Sequence, residues 1–173
     1  RRFGLRWGCF VEMPVERGIA IALGMHPVDA PRLETDASRP SAGDSYAAWA
    51  RLAAGALPEF DALYVHIKGP DLPAHDGLPE AKRDVIALID EAFFGEVLGA
   101  LDLGSTMVAV TADHATSCVR KAHTADPVPL LASGGGITAD GTDAFGERAA
   151  AEGSLGSLRG VQILPRLRDL MAG

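Results

Sequence analysis

The chain has 173 residues, 47% of them hydrophobic, and carries 16 basic against 23 acidic residues for a net charge of −7. This length suffices for one domain with a well-packed core. The acidic balance disfavours a general nucleic-acid-binding protein, which would carry a basic surface, and no apolar run reaches the roughly 18 residues of a membrane-spanning helix.

Two features indicate a cytoplasmic setting. Cys9 and Cys118 are too few for a disulfide framework and lack a metal-type spacing. The first residues also lack the apolar core and cleavage site of a signal peptide. We therefore expect a reduced, cytoplasmic environment and neither a membrane nor a nucleic acid as partner.

Hydrophobic periodicity predicts alternating strands and helices in the first part of the chain. The polar stretch 31–44 contains Pro40 and Gly43, so we expect a long surface loop there. In chain order, the predicted elements are a strand at 8–13, a helix at 14–23, a short strand at 26–30, a helix at 46–57 and a strand at 63–67.

The second part continues the alternation. Gly69, Pro70 and Pro73 are expected to stop the strand and to prevent a regular helix after it. A long amphipathic helix from Pro79, strands at 106–111 and 128–132, and closing helices at 143–151 and 160–171 follow. This order predicts an α/β fold, with a mostly parallel sheet flanked by helices, in a single domain spanning 1–173.

Asp71 and His75 follow the predicted strand 63–67 and are separated by four positions. In an open α/β sheet, ligands bind at the carboxyl ends of the strands, and carboxylate and imidazole groups bind divalent metals. Seen alone, the pair fits equally well a polar loop in which Asp71 caps a turn and His75 faces solvent.

A second pair, Asp113 and His114, ends the next predicted strand, and His123 follows in a loop. Each of these residues alone also fits a hydrogen-bonded turn or a surface loop. Together with the first pair they supply two carboxylates and three imidazoles, more than one tetrahedral site uses. The set suits two divalent metal ions, such as Mn, Zn or Mg, which clamp the attacking and leaving oxygens of phosphoryl transfer.

Two lysines lie next to these residues. Lys68 precedes Asp71, and Lys121 precedes His123. Their ammonium groups would offset the charge of a bound phosphate, although both also fit ordinary surface charges. His26 precedes Pro27 away from the motifs and His66 lies inside a predicted strand, so both are expected to be structural.

Three stretches together, His66–Gly77, Thr111–Thr116 and Lys121–Pro129, resemble the cofactor-independent (2,3-bisphosphoglycerate-independent) phosphoglycerate mutases. The likeness is to the archaeal-type branch, within the alkaline phosphatase superfamily. Residues 17–25 and 145–160 extend the resemblance over nearly the whole chain. It implies that the chain is the C-terminal part of a metal-binding, phosphatase-like domain.

The resemblance also implies a glycolytic activity and a ligand set. Members of this family interconvert 3-phosphoglycerate and 2-phosphoglycerate through a phosphoserine, using two divalent ions. By motif, Asp71, His75 and His123 would hold one ion, while Asp113 and His114 would help to hold the other. Lys68 and Lys121 would contact the small phosphorylated substrate.

The family's serine nucleophile and its inserted domain belong to an N-terminal portion that the matched stretches do not include. Ser117 does not occupy the nucleophile's place, so the resemblance implies no catalytic residue here. It implies instead a fragment that is inactive alone and whose partner is the missing N-terminal portion of the same protein. Ala74 departs from the glycine common in the family, and its Cβ disfavours a positive φ.

Two alternatives remain at this point. A metal-dependent phosphatase or phosphonate hydrolase of the same superfamily would use the same residues with water as the acceptor. A non-catalytic binding module with a vestigial metal site would retain the residues without turnover.

Overall fold

The computed structural model describes residues 4–172. Contacts divide them into two compact units: residues 4–101 with 118–121, and residues 102–117 with 122–172. Strands and helices alternate along the chain, and a parallel sheet flanked by helices lies in the first unit. The predicted α/β class is confirmed. No helix within residues 4–172 has the length and hydropathy needed to cross a bilayer.

The first unit contains a three-stranded parallel sheet. Its strands are β1 (Trp7–Phe10), β2 (His26–Pro27) and β3 (Ala62–Val65), in the order β2-β1-β3. The β1–β3 ladder runs from Trp7 opposite Ala62 to Phe10 opposite Val65. The helices of this unit are α1 (Pro14–Ala22), α2 (Pro40–Ala56), α3 (Asp71–Asp76), α4 (Pro79–Leu88) and α5 (Gly95–Ala100), with a short 3₁₀ turn at Leu57–Glu59 and a π-helical segment at Ile89–Phe94.

Aromatic side chains form the centre of this unit's core. Phe10 and Tyr46 are fully buried, and the Phe10 and Trp49 rings lie 5.8 Å apart between centroids. The indole Nε1 of Trp49 donates to the Pro31 carbonyl at 2.6 Å, so its polar atom is satisfied. Phe93 and Val97 pack into the same cluster. The core thus fixes the sheet against α2 and the helical segment 79–100.

The second unit contains two antiparallel strand pairs. β4 (Met107–Thr111) pairs with β7 (Leu130–Gly134), and β5 (Ala115–Ser117) forms a hairpin with β6 (Ala122–Thr124). Two helices, α6 (Glu147–Glu152) and α7 (Gly160–Ala172), close the unit. The alternation of elements did not predict the antiparallel direction of these pairs or the hairpin.

Three local predictions were wrong. The loop at 31–44 ends early because α2 begins at Pro40, where proline suits the first helical position. A helix, α3, forms despite Pro73, because the first four amides of a helix have no intrahelical acceptor and a proline there sacrifices no bond. His123 lies on strand β6 rather than in a loop.

Candidate metal centre

Asp71 and His75 lie on α3, one helical turn apart. Asp71 is the first residue of the helix, and its amide donates to the Lys68 carbonyl at 3.0 Å. The i, i+4 spacing places both side chains on one face, with Asp71 Oδ1 3.4 Å from His75 Nε2. The Asp71 side chain is only 16% exposed. A helix, and not the strand tip itself, therefore brings the first pair together.

A backbone carbonyl fixes the orientation of the His75 ring. His75 Nδ1 lies 3.1 Å from the carbonyl oxygen of Lys121. Because a carbonyl oxygen only accepts, Nδ1 is the nitrogen that donates to it, which leaves Nε2, facing Asp71, as the nitrogen that could bind a metal. A metal-binding histidine commonly has this arrangement, with its other ring nitrogen donating to a carbonyl.

The second pair, Asp113 and His114, has a similar geometry. Asp113 Oδ2 lies 3.5 Å from His114 Nε2, and Asp113 Oδ1 accepts the His114 amide at 3.0 Å. His114 Nδ1 contacts the Oγ1 of Thr116 at 3.1 Å, and Thr116 is buried. Here too Nδ1 is engaged by a neighbour while Nε2 faces a carboxylate.

The β5–β6 hairpin brings the third histidine beside the second. His123 is directly opposite Thr116 in the ladder, and His114 lies just before β5 with its Nδ1 3.1 Å from the Oγ1 of Thr116. The two imidazoles stack with centroids 3.6 Å apart and planes at 28°. Each ring offers a nitrogen, and these two nitrogens lie within 4.8 Å of each other.

These distances match those of donors that share a metal ion. Two donors at about 2.1 Å from one tetrahedral ion lie about 3.4 Å apart. The donor atoms are 3.4 Å apart in Asp71–His75 and 3.5 Å apart in Asp113–His114. In donor spacing, each pair resembles two ligands of one divalent ion.

Comparison with known proteins gives the family. Residues 38–165 match the Metalloenzyme superfamily. The chain belongs to this superfamily. Use of a divalent metal follows from this membership and agrees with the carboxylate and imidazole donors described above.

The relatives of this Metalloenzyme superfamily chain include archaeal proteins named 2,3-bisphosphoglycerate-independent phosphoglycerate mutase. The one from Pyrococcus abyssi is 44% identical over 115 residues, covering 66% of this chain and 28% of that protein. The one from Aeropyrum pernix is 39% identical over 99% of this chain and 40% of that protein. The resemblance seen in the motifs is confirmed, and the chain spans well under half the length of these relatives.

Two solved structures have similar folds. The PH0037 protein from Pyrococcus horikoshii superposes with a TM-score of 0.89 at 32% identity, covering 99% of this chain and 50% of that chain. The cofactor-independent phosphoglycerate mutase from Thermoplasma acidophilum gives a TM-score of 0.64 at 24% identity, and the match covers 96% of this chain and 36% of that chain. The second likeness concerns the fold alone.

The two lysines lie close to the first Asp–His pair. Lys68 Nζ is 3.4 Å from Asp71 Oδ2. Lys121 has a left-handed φ of 53°, and its side chain lies over Gly77, where an added Cβ would meet Lys121 Cε at 2.5 Å. Gly77 ends α3 with a φ of 77°. A residue with a side chain at this position would thus be strained and would displace the lysine.

Other sequence expectations also have a structural outcome. Ala74 lies fully buried within right-handed α3, so it needs no positive φ. His66 Nδ1 lies 3.2 Å from Glu16 Oε2, and the exposed His26 ring lies 5.7 Å from the Phe60 ring. Sequence reasoning missed Thr116 as the partner of His114. Its place two residues after His114 was the available signal.

Proposed function

We propose that this chain is the C-terminal portion of the metal-binding domain of an enzyme that interconverts 3-phosphoglycerate and 2-phosphoglycerate. The observation that carries the proposal is the geometry of the two Asp–His pairs, in which carboxylate oxygen and imidazole Nε2 lie 3.4 and 3.5 Å apart. The archaeal relatives bear the name of this activity. In the longer protein, the N-terminal portion would supply the serine that carries the phosphoryl group, so this chain alone is expected to be inactive.

The proposal includes two divalent ions of the Mn, Zn or Mg type. Following the motifs, Asp71, His75 and His123 serve one ion, and Asp113 and His114 serve the other. Such ions offset the charge on a transferring phosphoryl group. The chain's own contribution is to hold the imidazole of His75 in a fixed orientation, which its contact to the Lys121 carbonyl supports.

Lys68 and Lys121 complete the proposed site as phosphate-binding groups. Lys68 is exposed, and its ammonium group lies beside the Asp71 carboxylate. Once that carboxylate binds a cation, its attraction for the ammonium group weakens, and Lys68 becomes available to an anionic substrate. The free thiols of Cys9 and Cys118 agree with the further proposal of a cytoplasmic protein.

Metal binding tests the first half of the proposal. Mn²⁺ titration of the intact protein that carries this chain, followed by calorimetry, is expected to give two sites. Asp71→Asn and His114→Ala should each weaken one of them. His26→Ala is the matched control, because it removes an exposed imidazole that contacts Phe60. If Asp71→Asn and His114→Ala both bound Mn²⁺ as the wild type does, or if His26→Ala lost as much affinity as they do, the proposed ligands would be contradicted.

Product analysis tests the second half. Phosphorus NMR of the intact protein with 3-phosphoglycerate should show 2-phosphoglycerate without release of inorganic phosphate. Release of inorganic phosphate from a generic phosphomonoester, or from a phosphonate by cleavage of its C–P bond, would instead favour a hydrolase. Metal binding without any turnover would favour a binding module.

A further inference from the structure

We propose that Glu12 is a positioning residue for the metal ligand Asp71. The Glu12 carboxylate accepts the backbone amide of Lys68 at 2.6 Å, and the Lys68 carbonyl accepts the amide of Asp71 at 3.0 Å. Two consecutive hydrogen bonds thus link Glu12 to the first residue of α3. The inference rests on the proposed function, since it assigns Asp71 to a metal.

The sheet explains why a side chain is needed at this point. The last ladder bond between β1 and β3 joins the His66 amide to the Phe10 carbonyl at 2.9 Å. Beyond Phe10, the chain turns into α1 at Pro14, so its backbone no longer runs beside the continuation of β3. The Glu12 carboxylate takes the place of the next backbone acceptor. It extends the pairing by one bond, up to the loop that delivers Asp71.

The environment of Glu12 agrees with a positioning role. Its side chain is half-buried, and burial raises the pKa of the carboxyl group, while the Lys68 amide partly opposes this rise. Burying a carboxylate costs free energy unless hydrogen bonds compensate. A charge-assisted bond of 2.6 Å is of the strong kind that does so.

Packing against the core also fixes the same loop. Gly69 is buried, and a Cβ on it would lie 2.5 Å from Tyr46 Oη and 3.0 Å from Val85 Cγ1. The loop is therefore held both by its packing on a fully buried tyrosine and by its hydrogen bond to the carboxylate of Glu12. Replacing Glu12 leaves the packing of Gly69 in place, so the fold should survive while Asp71 loses its fixed position.

Glu16 provides a matched control on the same segment. Its carboxylate accepts the Met13 amide at 3.1 Å at the start of α1 and lies 3.2 Å from His66 Nδ1. Replacing Glu16 removes one negative charge four residues from Glu12, but it leaves the acceptor of the Lys68 amide in place.

The test compares Mn²⁺ affinity in the intact protein carrying this chain. Glu12→Ala and Glu12→Met, the second filling the space without a carboxylate, are expected to weaken Mn²⁺ binding about 10- to 100-fold, as losses of supporting contacts commonly do. Glu12→Gln keeps an acceptor oxygen for the Lys68 amide, so its Mn²⁺ affinity should stay near the wild-type value. Glu16→Ala should bind as the wild type does. Urea unfolding of each variant separates affinity from stability.

The outcomes separate the two proposals. Wild-type protein that binds no Mn²⁺ would refute the proposed metal site, and the inference with it. Wild-type binding with unchanged affinity in Glu12→Met, or an equal loss in Glu16→Ala, would refute the positioning role alone. A Glu12→Gln variant that binds Mn²⁺ as weakly as Glu12→Ala would also overturn the positioning role, because the hydrogen bond to the Lys68 amide would then not explain the loss of affinity.

Discussion

Gly69 allows a direct test of how tightly the Asp71 loop is packed. A methyl group there would lie 2.5 Å from Tyr46 Oη, about 1 Å short of the roughly 3.5 Å at which non-bonded atoms attract. Tyr46 is fully buried, so its ring cannot move aside into solvent. Overpacking of this kind typically costs about 1–3 kcal/mol. Alanine also restricts the unfolded chain, which offsets a smaller part of this cost. We therefore expect Gly69→Ala to lower the free energy of unfolding by about 1–2 kcal/mol net.

A double-mutant cycle measured by urea unfolding identifies the cause. Among the described residues the Tyr46 hydroxyl is a buried polar group without a hydrogen-bond partner, and burial, with the charges of Glu12 and Glu34, raises its pKa to about 12. Tyr46→Phe should therefore be neutral or stabilising by about 1 kcal/mol, and it should relieve most of the cost of Gly69→Ala. Effects that simply add, within about 0.5 kcal/mol, would refute the clash. Gly55→Ala, where the new Cβ meets nothing within 4 Å, is the control and should stabilise.

Three further predictions concern the core, a surface carboxylate and the metal. Phe10→Ala removes a fully buried ring beside Trp49 and should cost about 3–5 kcal/mol in urea unfolding, with a change in indole fluorescence. The Ser154 amide, followed by Thr142, lowers the pKa of Asp140 below its usual 3.8, so its stabilising effect is present above that pH and is lost on acidification. The stability difference between wild type and Asp140→Asn should accordingly shrink as the pH falls below about 4, and a constant difference would contradict this reasoning. Mn²⁺ at about 100 times its dissociation constant should stabilise the intact protein by about 2.7 kcal/mol for each site it fills, relative to a chelator-treated sample, and equal melting temperatures would count against a bound metal.

Elements with strong local signals could be predicted well from the sequence. The helix predicted at 14–23 forms as Pro14–Ala22, since Pro14 suits its first position and Gly24, at a φ of 80°, lies just past its end. The strands predicted at 63–67 and 106–111 also form, and the structure gives them as Ala62–Val65 and Met107–Thr111. In each case the signal lies within the element itself.

Elements that depend on distant partners could not be predicted in this way. The strands Ala115–Ser117 and Ala122–Thr124 have three residues each, too few for a periodic pattern, and they exist because they pair with each other. The direction of β7 against β4 likewise depends on the connection between them. The helix at Asp71–Asp76 is not predicted from the sequence because a proline signals a helix break unless its position in the first turn is known, and Pro73 lies in that turn.

In the candidate site too, local signals could be read from the sequence and contacts with distant partners could not. Residue type and spacing identified Asp71, His75, Asp113, His114 and His123, and their assignment as ligands stays a prediction. The carbonyl of Lys121, which orients His75, has no sequence signature because every residue carries one. The carboxylate of Glu12 was missed for a related reason, since its partner lies 56 residues away.

The π-helical segment at Ile89–Phe94 has a consequence for how this helix tolerates changes in length. Val85, Phe93 and Val97 are buried at spacings of eight and four residues, and each four-residue step overshoots a turn of a regular α-helix by about 40°. The wider turn absorbs part of this drift and keeps the three side chains directed to the core. Loss of one residue within the segment would tighten the wide turn to an ordinary one. Because the wide turn already accommodates one extra residue, Val97 would stay within about 20° of the face that Val85 occupies and would still point to the interior. Loss of a residue from α4, by contrast, would rotate Val97 by about 100° and turn it away from the core.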